Sequence, residues 1–222
     1  MSDGRGWFIT LEGIEGAGKT TQTEWLVRAL RAAGRQVVAT REPGGRGPVA
    51  ETLRALLKEP AVWKELGLAE IYLYAAARAH HLESLVLPAL DEGRDVICDR
   101  YLDSTRAYQG FGRGRPRRLI EDLHALPPLD LRPDCTLLLD LPPRVGLARA
   151  RERGEDGPAG YDDESLAFFE RVRDGFRHIA EDEPSRVRMV DADASPLEVH
   201  TRIVGALTDL VPGLEPAAGG WP

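Results

Sequence analysis

The apolar positions of this chain fall into two kinds of pattern that alternate from one end to the other. Short apolar, β-prone runs occur at 7–11, 36–40, 95–99, 135–140 and 187–191. Between them lie longer segments with apolar residues three and four apart: 21–33, 49–58, 66–90, pieces of 102–127, 143–153, 165–180 and 196–210. A three-to-four period marks an amphipathic helix, and a nearly unbroken apolar run marks a strand covered on both faces. Five strands alternating with helices predict an α/β fold, a five-stranded parallel sheet flanked by helices with right-handed crossovers. Pro88 either bends the 66–90 helix or marks a boundary in it. The glycines in Gly110-Phe111-Gly112-Arg113-Gly114 predict a break in 102–127. Segment 154–164, polar and glycine-rich, is expected to be a mobile loop, and the tail 212–222 to be frayed. With no repeat and no long linker, residues 1–222 are expected to form a single domain.

The first strand and the first helix are joined by Gly13-Ile14-Glu15-Gly16-Ala17-Gly18-Lys19-Thr20. This fits G-x-x-x-x-G-K-[ST] in the strand–loop–helix context that a phosphate-binding loop requires. Glycines let the backbone wrap round a polyphosphate with its N–H groups pointing inward, and the helix adds its positive end. Lys19 then reaches the terminal phosphates and Thr20 offers a hydroxyl to Mg²⁺.

Composition narrows the picture further. The 222 residues carry a net charge of −7, which argues against broad binding to a nucleic-acid polymer. Single nucleotides need only a few local arginines. Cys98 and Cys135 lack metal-ligand spacing and sit in apolar runs, so buried free thiols are expected. Nothing resembles a signal peptide or a membrane span, and the chain reads as soluble and cytoplasmic.

Three further features carry chemistry. Asp99 closes an apolar strand, where it either holds Mg²⁺ or caps the following turn. Arg41-Glu42-Pro43-Gly44-Gly45 ends the second strand, either as an ordinary turn or as a loop facing a ligand. Arg149, Arg151 and Arg153 precede the polar loop; they form either a solvated face or a lid that neutralises a transferring phosphoryl group.

Taken in order, several segments resemble the bacterial thymidylate kinases, a family of nucleoside monophosphate kinases. They are residues 12–21, Thr40-Arg41-Glu42-Pro43-Gly44-Gly45, Asp99-Arg100-Tyr101, Ser104-Thr105-Arg106-Ala107-Tyr108-Gln109-Gly110 and Arg132-Pro133-Asp134. The resemblance implies a P-loop NTPase fold with a mobile lid at about 149–164, ATP as donor with Mg²⁺, dTMP as acceptor, and a homodimer packed through helices such as 66–90. The donor would be held by Gly13, Ile14, Glu15, Gly16, Ala17, Gly18, Lys19, Thr20 and Thr21, with Arg149 and Arg151 in support, and the metal by Thr20 and Asp99. The acceptor would meet Glu15 near the sugar 3′-hydroxyl, Glu42, Pro43 and Arg100 around its phosphate, and Arg54 as a further contact to the nucleotide. Tyr74 would stack on the base, Arg78, Thr105 and Gln109 would read its edge, and Tyr108 would pack on the sugar. Tyr74 departs from the usual Phe but keeps the π-face. The phosphate loop holds no arginine at its variable positions, so the lid would supply the catalytic one, Arg153, acting with Lys19 and Arg100. Ala159-Gly160-Tyr161-Asp162 departs from a lid pattern that often carries one more arginine. His80 and His81 read as surface or interface residues. Two rival functions are a kinase for another acceptor and a nucleotide-binding regulator without transfer activity.

Overall fold

The computed structural model describes residues 4–59, 65–152 and 163–216. Its centre is a five-stranded, all-parallel sheet in the order β2-β3-β1-β4-β5. The strands are β1 (Phe8–Glu12), β2 (Val37–Arg41), β3 (Asp95–Asp99), β4 (Cys135–Asp140) and β5 (Val187–Asp191). All three inner strands are buried along nearly their whole length, whereas the edge strands β2 and β5 are only partly covered. The sequences differ in the same sense: VVATR and VRMVD each end on a charged residue left exposed, while the polar residues Thr10, Glu12 and Thr136 of the inner strands are buried. Thr10 and Thr136, facing each other across the β1–β4 register, satisfy each other's hydroxyls at 2.8 Å inside the sheet.

The helices are α1 (Lys19–Ala32), α2 (Gly47–Lys58), α3 (Ala69–His81), α4 (Leu87–Asp91), α5 (Leu102–Thr105), α6 (Arg117–Leu123), α7 (Pro143–Glu152), α8 (Asp163–Asp182) and α9 (Pro196–Ala206). One core joins the sheet to α1, α8 and α9, and a second, built on Ile71, Leu82, Val86, Leu90, Tyr101 and Ile120, covers the other face.

Four expectations change. The 66–90 helix is two helices joined by a π-helical turn at Leu82–Val86. Pro88 follows that turn and has no N–H to return to Ser84, so the i→i−4 ladder is interrupted there. The break expected over 110–114 comes at its far end, where residues 113–116 leave the helix with Gly114 at φ of 64°, and not at Gly110 or Gly112. Those two lie in a π-helical stretch, Arg106–Gly112, which presses on α8: a Cβ on Gly112 would come within 2.7 Å of both Phe168 and Val172. The last helix stops at Ala206 rather than Leu210. The tail is not loose from Pro212 onward, because Leu214 is buried in the first core. Residues 217–222 and most of the expected lid, 153–162, lie outside the described residues, as does the Ala159–Asp162 departure. Cys98 and Cys135 are free and buried.

Candidate active site

The site gathers at the carboxyl ends of the strands, as in other open α/β sheets. The phosphate loop leaves β1 and turns into α1 with Gly16 and Gly18 at φ of 75° and 88°. Gly16 also lies against α7: a Cβ there would sit 2.0 Å from the Gly146 carbonyl oxygen, and one on Gly146 2.4 Å from that of Glu15. Two glycines therefore allow loop and helix to touch backbone to backbone. Ile14 and Ala17 point into the core. Lys19 curls over the loop and donates to the carbonyls of Gly13 (3.1 Å) and Ile14 (2.8 Å). Burial, and then the Arg100 charge, pull its pKa down to about 8, against Asp99, Glu15 and Glu12. The Thr20 hydroxyl donates to Asp99 at 2.9 Å. A hydroxyl and a carboxylate are the hard oxygen donors Mg²⁺ takes, and so small a protein share suits a metal held mainly by phosphates and water.

Arg100 follows β3 with φ of 71°, a left-handed backbone that non-glycine residues seldom adopt. Its guanidinium donates to the Gly13 carbonyl (3.0 Å), Ser104 (3.1 Å), Glu15 (3.1 Å) and Tyr108 (3.2 Å), and lies over the Tyr108 ring. Burial alone would make it less basic, but Tyr108, Glu15, Asp99 and Glu12 raise its pKa above the ordinary value. The Tyr108 hydroxyl donates to Glu15 at 2.6 Å. The turn itself is held by Glu12, fully buried at the end of β1, which accepts from the backbones of Tyr101 and Ser104 and from the Ser104 hydroxyl at 2.6 Å. Burial, reinforced by Asp103, pushes the Glu12 carboxyl up to about 7.

Glu42 follows β2, joined to Pro43 by a cis bond, and is buried. It accepts from Arg78 at 2.8 Å and from the His81 ring at 3.2 Å. Burial works against its charge, but Arg78 and His81 hold the carboxyl below its usual range. Arg78, only 2% exposed, also donates to Thr105 (3.0 Å) and to His124 (2.6 Å). The His124 Nδ1 donates to the Ile120 carbonyl, which leaves Nε2 as the acceptor for Arg78. Burial and then the Arg78 charge lower the His124 pKa to about 4. His81 is therefore not a surface residue: it is fully buried, bridging Glu42 and Thr40. It sits in the last turn of α3, from which its ring reaches the end of β2. Arg54 reaches back from α2 to the Pro43 carbonyl.

Two cavities meet here. One of about 590 Å³ runs along the phosphate loop and is lined by Lys19, Thr20, Thr21, Arg41, Asp99 and others. The second, about 440 Å³, is lined by Tyr74, Arg78, Thr105, Tyr108, Gln109 and others. Glu15, Glu42, Lys58 and Arg100 border both. Arg149 lines neither; it donates to the Ala192 carbonyl on the β5–α9 loop at 3.3 Å. Arg151 is exposed on α7, and Arg153 lies outside the described residues.

Residues 11–203 match the family described as thymidylate kinase. The chain belongs to the thymidylate kinase family. It is 48% identical over 204 residues to the thymidylate kinase of Trichlorobacter lovleyi, covering 90% of this chain and 96% of that protein. It is 46% identical to that of Geobacter sulfurreducens, covering 93% and 99%. A crystal structure of thymidylate kinase from Ehrlichia chaffeensis matches with a TM-score of 0.69 at 35% identity, covering 91% of this chain and 99% of that one.

Most of the expected side chains line these two cavities, and others that were not expected support or line them. Glu12, Glu70, Ser104, Arg113, His124, Phe168 and Phe169 all hold or line the site. Glu12 adjoins the loop and Ser104 lies beside Arg100, so proximity to the motifs was an available signal for those two. His124 and the α8 phenylalanines had none, because they reach the site from distant segments.

Proposed function

We propose that this chain transfers the γ-phosphoryl group of ATP to dTMP, giving ADP and dTDP, as one nucleoside monophosphate kinase domain in the cytoplasm. The observation that carries this reading is the junction of the two cavities at Glu15, Glu42, Lys58 and Arg100. A donor polyphosphate on the loop and an acceptor monophosphate beside Arg100 would bring their reacting oxygen and phosphorus together at that junction. The acceptor phosphate oxygen is already anionic, so no strong base is needed, and catalysis is alignment plus charge neutralisation. Lys19 leaves the loop carbonyls for the β- and γ-phosphates. Arg100, fixed by Ser104 and Glu15, holds the acceptor phosphate with a planar fork. Glu42 and Arg54 shape that pocket with Pro43. Tyr74 and Arg78, with Thr105 and Gln109, take the base, while Tyr108 covers the sugar face and Glu15 receives its 3′-hydroxyl. Thr20 and Asp99 would hold Mg²⁺, which supplies charge neutralisation on the donor phosphates when bound. Arg153 supplies the lid charge, with Arg149 and Arg151 nearer the donor nucleoside.

We also infer a homodimer. Leu68 just before α3 and Tyr72 on it are about half exposed, as is Val49 on the neighbouring α2, an apolar face suited to a second copy. A dimeric wild type with Tyr72→Asp sedimenting as a monomer would support it; a monomeric wild type would refute the dimer, and a dimeric variant would refute this face.

The deciding experiment is ADP release from Mg·ATP with dTMP, dUMP, dCMP, dGMP, AMP or thymidine. Strong stimulation by dTMP is expected. Stimulation by another acceptor alone would overturn the base-site assignment, and slow hydrolysis indifferent to every acceptor would favour a regulator. Arg153→Ala is expected to lose turnover sharply, on the order of 10³-fold, with the fold intact.

A further inference from the structure

At the far end of the acceptor cavity is a carboxylate that the proposed chemistry does not use. Glu70, in the first turn of α3, is 2% exposed and lines the cavity beside Tyr74 and Gln109. Its Oε1 accepts from the Gln109 side-chain Nε2 at 3.1 Å and from Arg113 at 2.9 Å. Its Oε2 is buried with no hydrogen-bond partner. The main chain around Gln109 is fixed independently: the Gln109 carbonyl accepts from Arg115 N at 2.9 Å, and Arg113 N donates to the Tyr108 carbonyl at 3.0 Å. The one freedom left to the amide is which way round it faces.

An amide is a donor at one end and an acceptor at the other, and a carboxylate only accepts. Burial raises the Glu70 pKa against the lowering pull of Arg113 and Gln109, and Oε1, facing two donors, is an acceptor whether or not the far oxygen carries a proton. The NH₂ end of Gln109 is thereby assigned to Glu70, and the carbonyl end is turned away from it. We propose that Glu70 sets the pyrimidine choice of this pocket: by fixing the Gln109 amide it presents a carbonyl oxygen to the ligand. Such an oxygen accepts the ring N–H of a 4-oxo pyrimidine. It opposes the ring lone pair of a 4-amino pyrimidine, leaving two acceptors face to face. Arg78, a donor only, favours the same 4-oxo pattern, while the Thr105 hydroxyl both donates and accepts and so reads neither. Glu70 is a positioning residue acting through Gln109. The inference rests on the monophosphate-kinase reading above.

The test compares kcat/KM for dUMP and dCMP, two acceptors that both lack the 5-methyl group and differ at the hydrogen-bonding edge. The wild type is expected to favour dUMP. In Glu70→Gln the new amide can donate as well as accept, so Gln109 is free to turn over. The dUMP-to-dCMP ratio should narrow about tenfold, through KM rather than kcat. Gln109→Met should narrow it as well, and adding Glu70→Gln to Gln109→Met should change it no further. An equal loss on both acceptors, or an unchanged ratio in Glu70→Gln, overturns the inference. If Glu70→Gln does not fold, a ratio left intact by Gln109→Met overturns it instead. A wild type inert with dTMP overturns the kinase reading and this inference together. An active wild type whose ratio ignores both substitutions overturns this inference alone.

Discussion

The phosphate loop and the acceptor cavity share a border but are held in place by different means. The loop is positioned by backbone: left-handed glycines, the close approach of Gly16 to Gly146, and Lys19 bonded to two carbonyls. The acceptor cavity is positioned by side chains from separate elements, through Glu42–Arg78–His124, Glu15–Arg100–Tyr108 and Glu70–Gln109. A backbone device is compact in sequence and tolerant of what surrounds it. A side-chain network is assembled from afar, and each buried charge in it depends on its partner.

That contrast predicts that damage to the cavity network appears first in stability, and damage to the loop in turnover. Glu42→Ala leaves Arg78 buried without its carboxylate, and about 3–5 kcal/mol of unfolding free energy should be lost in urea titration. Lys19→Ala should lower kcat on the order of 10²–10³-fold while the urea midpoint scarcely moves. Equal destabilisation by the two substitutions would break the comparison.

Titration sharpens it. His124 has a folded pKa of about 4 against an ordinary 6.5, so between those values the unfolded chain binds more protons. Its contribution is complete above about pH 6.5 and is lost as pH falls toward 4. Glu12, raised to about 7, tilts the other way, so the useful quantity is a difference between proteins. His124→Asn should flatten the slope of stability against pH in that window by up to about 1.4 kcal/mol per pH unit. On the loop side, Lys19 loses its proton near pH 8 in the free protein. The kcat/KM for ATP should fall above that pH, whereas a flat profile to pH 10 would mean that burial does not weaken the Lys19 charge. The smallest effect is expected at Arg149, whose side chain rests on the Ala192 carbonyl. Arg149→Ala should raise the KM for ATP roughly fivefold, the worth of a single hydrogen bond, and leave kcat nearly unchanged.

The same contrast explains what could be read from the chain alone. The inner strands were legible because a parallel strand covered on both faces is mostly apolar, as the Leu137-Leu138-Leu139 run of Cys135–Asp140 is. The loop was legible because its geometry demands glycines at fixed spacing. His81 was misread because two adjacent histidines on a helix look alike in sequence: one reaches the partly exposed Arg46 carbonyl and the other sits under Glu42. Gly112 and Gly114 could not be told apart because a glycine needed for close packing against α8 and a glycine needed for a turn are the same letter. The pairing of Arg78 with His124 spans 46 residues, and no local pattern encodes it.

The contact between Gly16 and Gly146 makes the phosphate loop and the root of α7 a single mechanical part. With no side chain to cushion the joint, neither backbone can shift by a few tenths of an ångström without pushing the other. A helix clamped at its base behaves as a cantilever, and small adjustments at the clamp grow with distance toward its tip. Arg149 and Arg151 lie beyond that clamp, where Arg149 rests on the Ala192 carbonyl and Ala150 is buried between them. Filling the loop with phosphates would thus be registered along α7 as a displacement, and widening the joint with Gly146→Ala would disconnect the sensor from the arm.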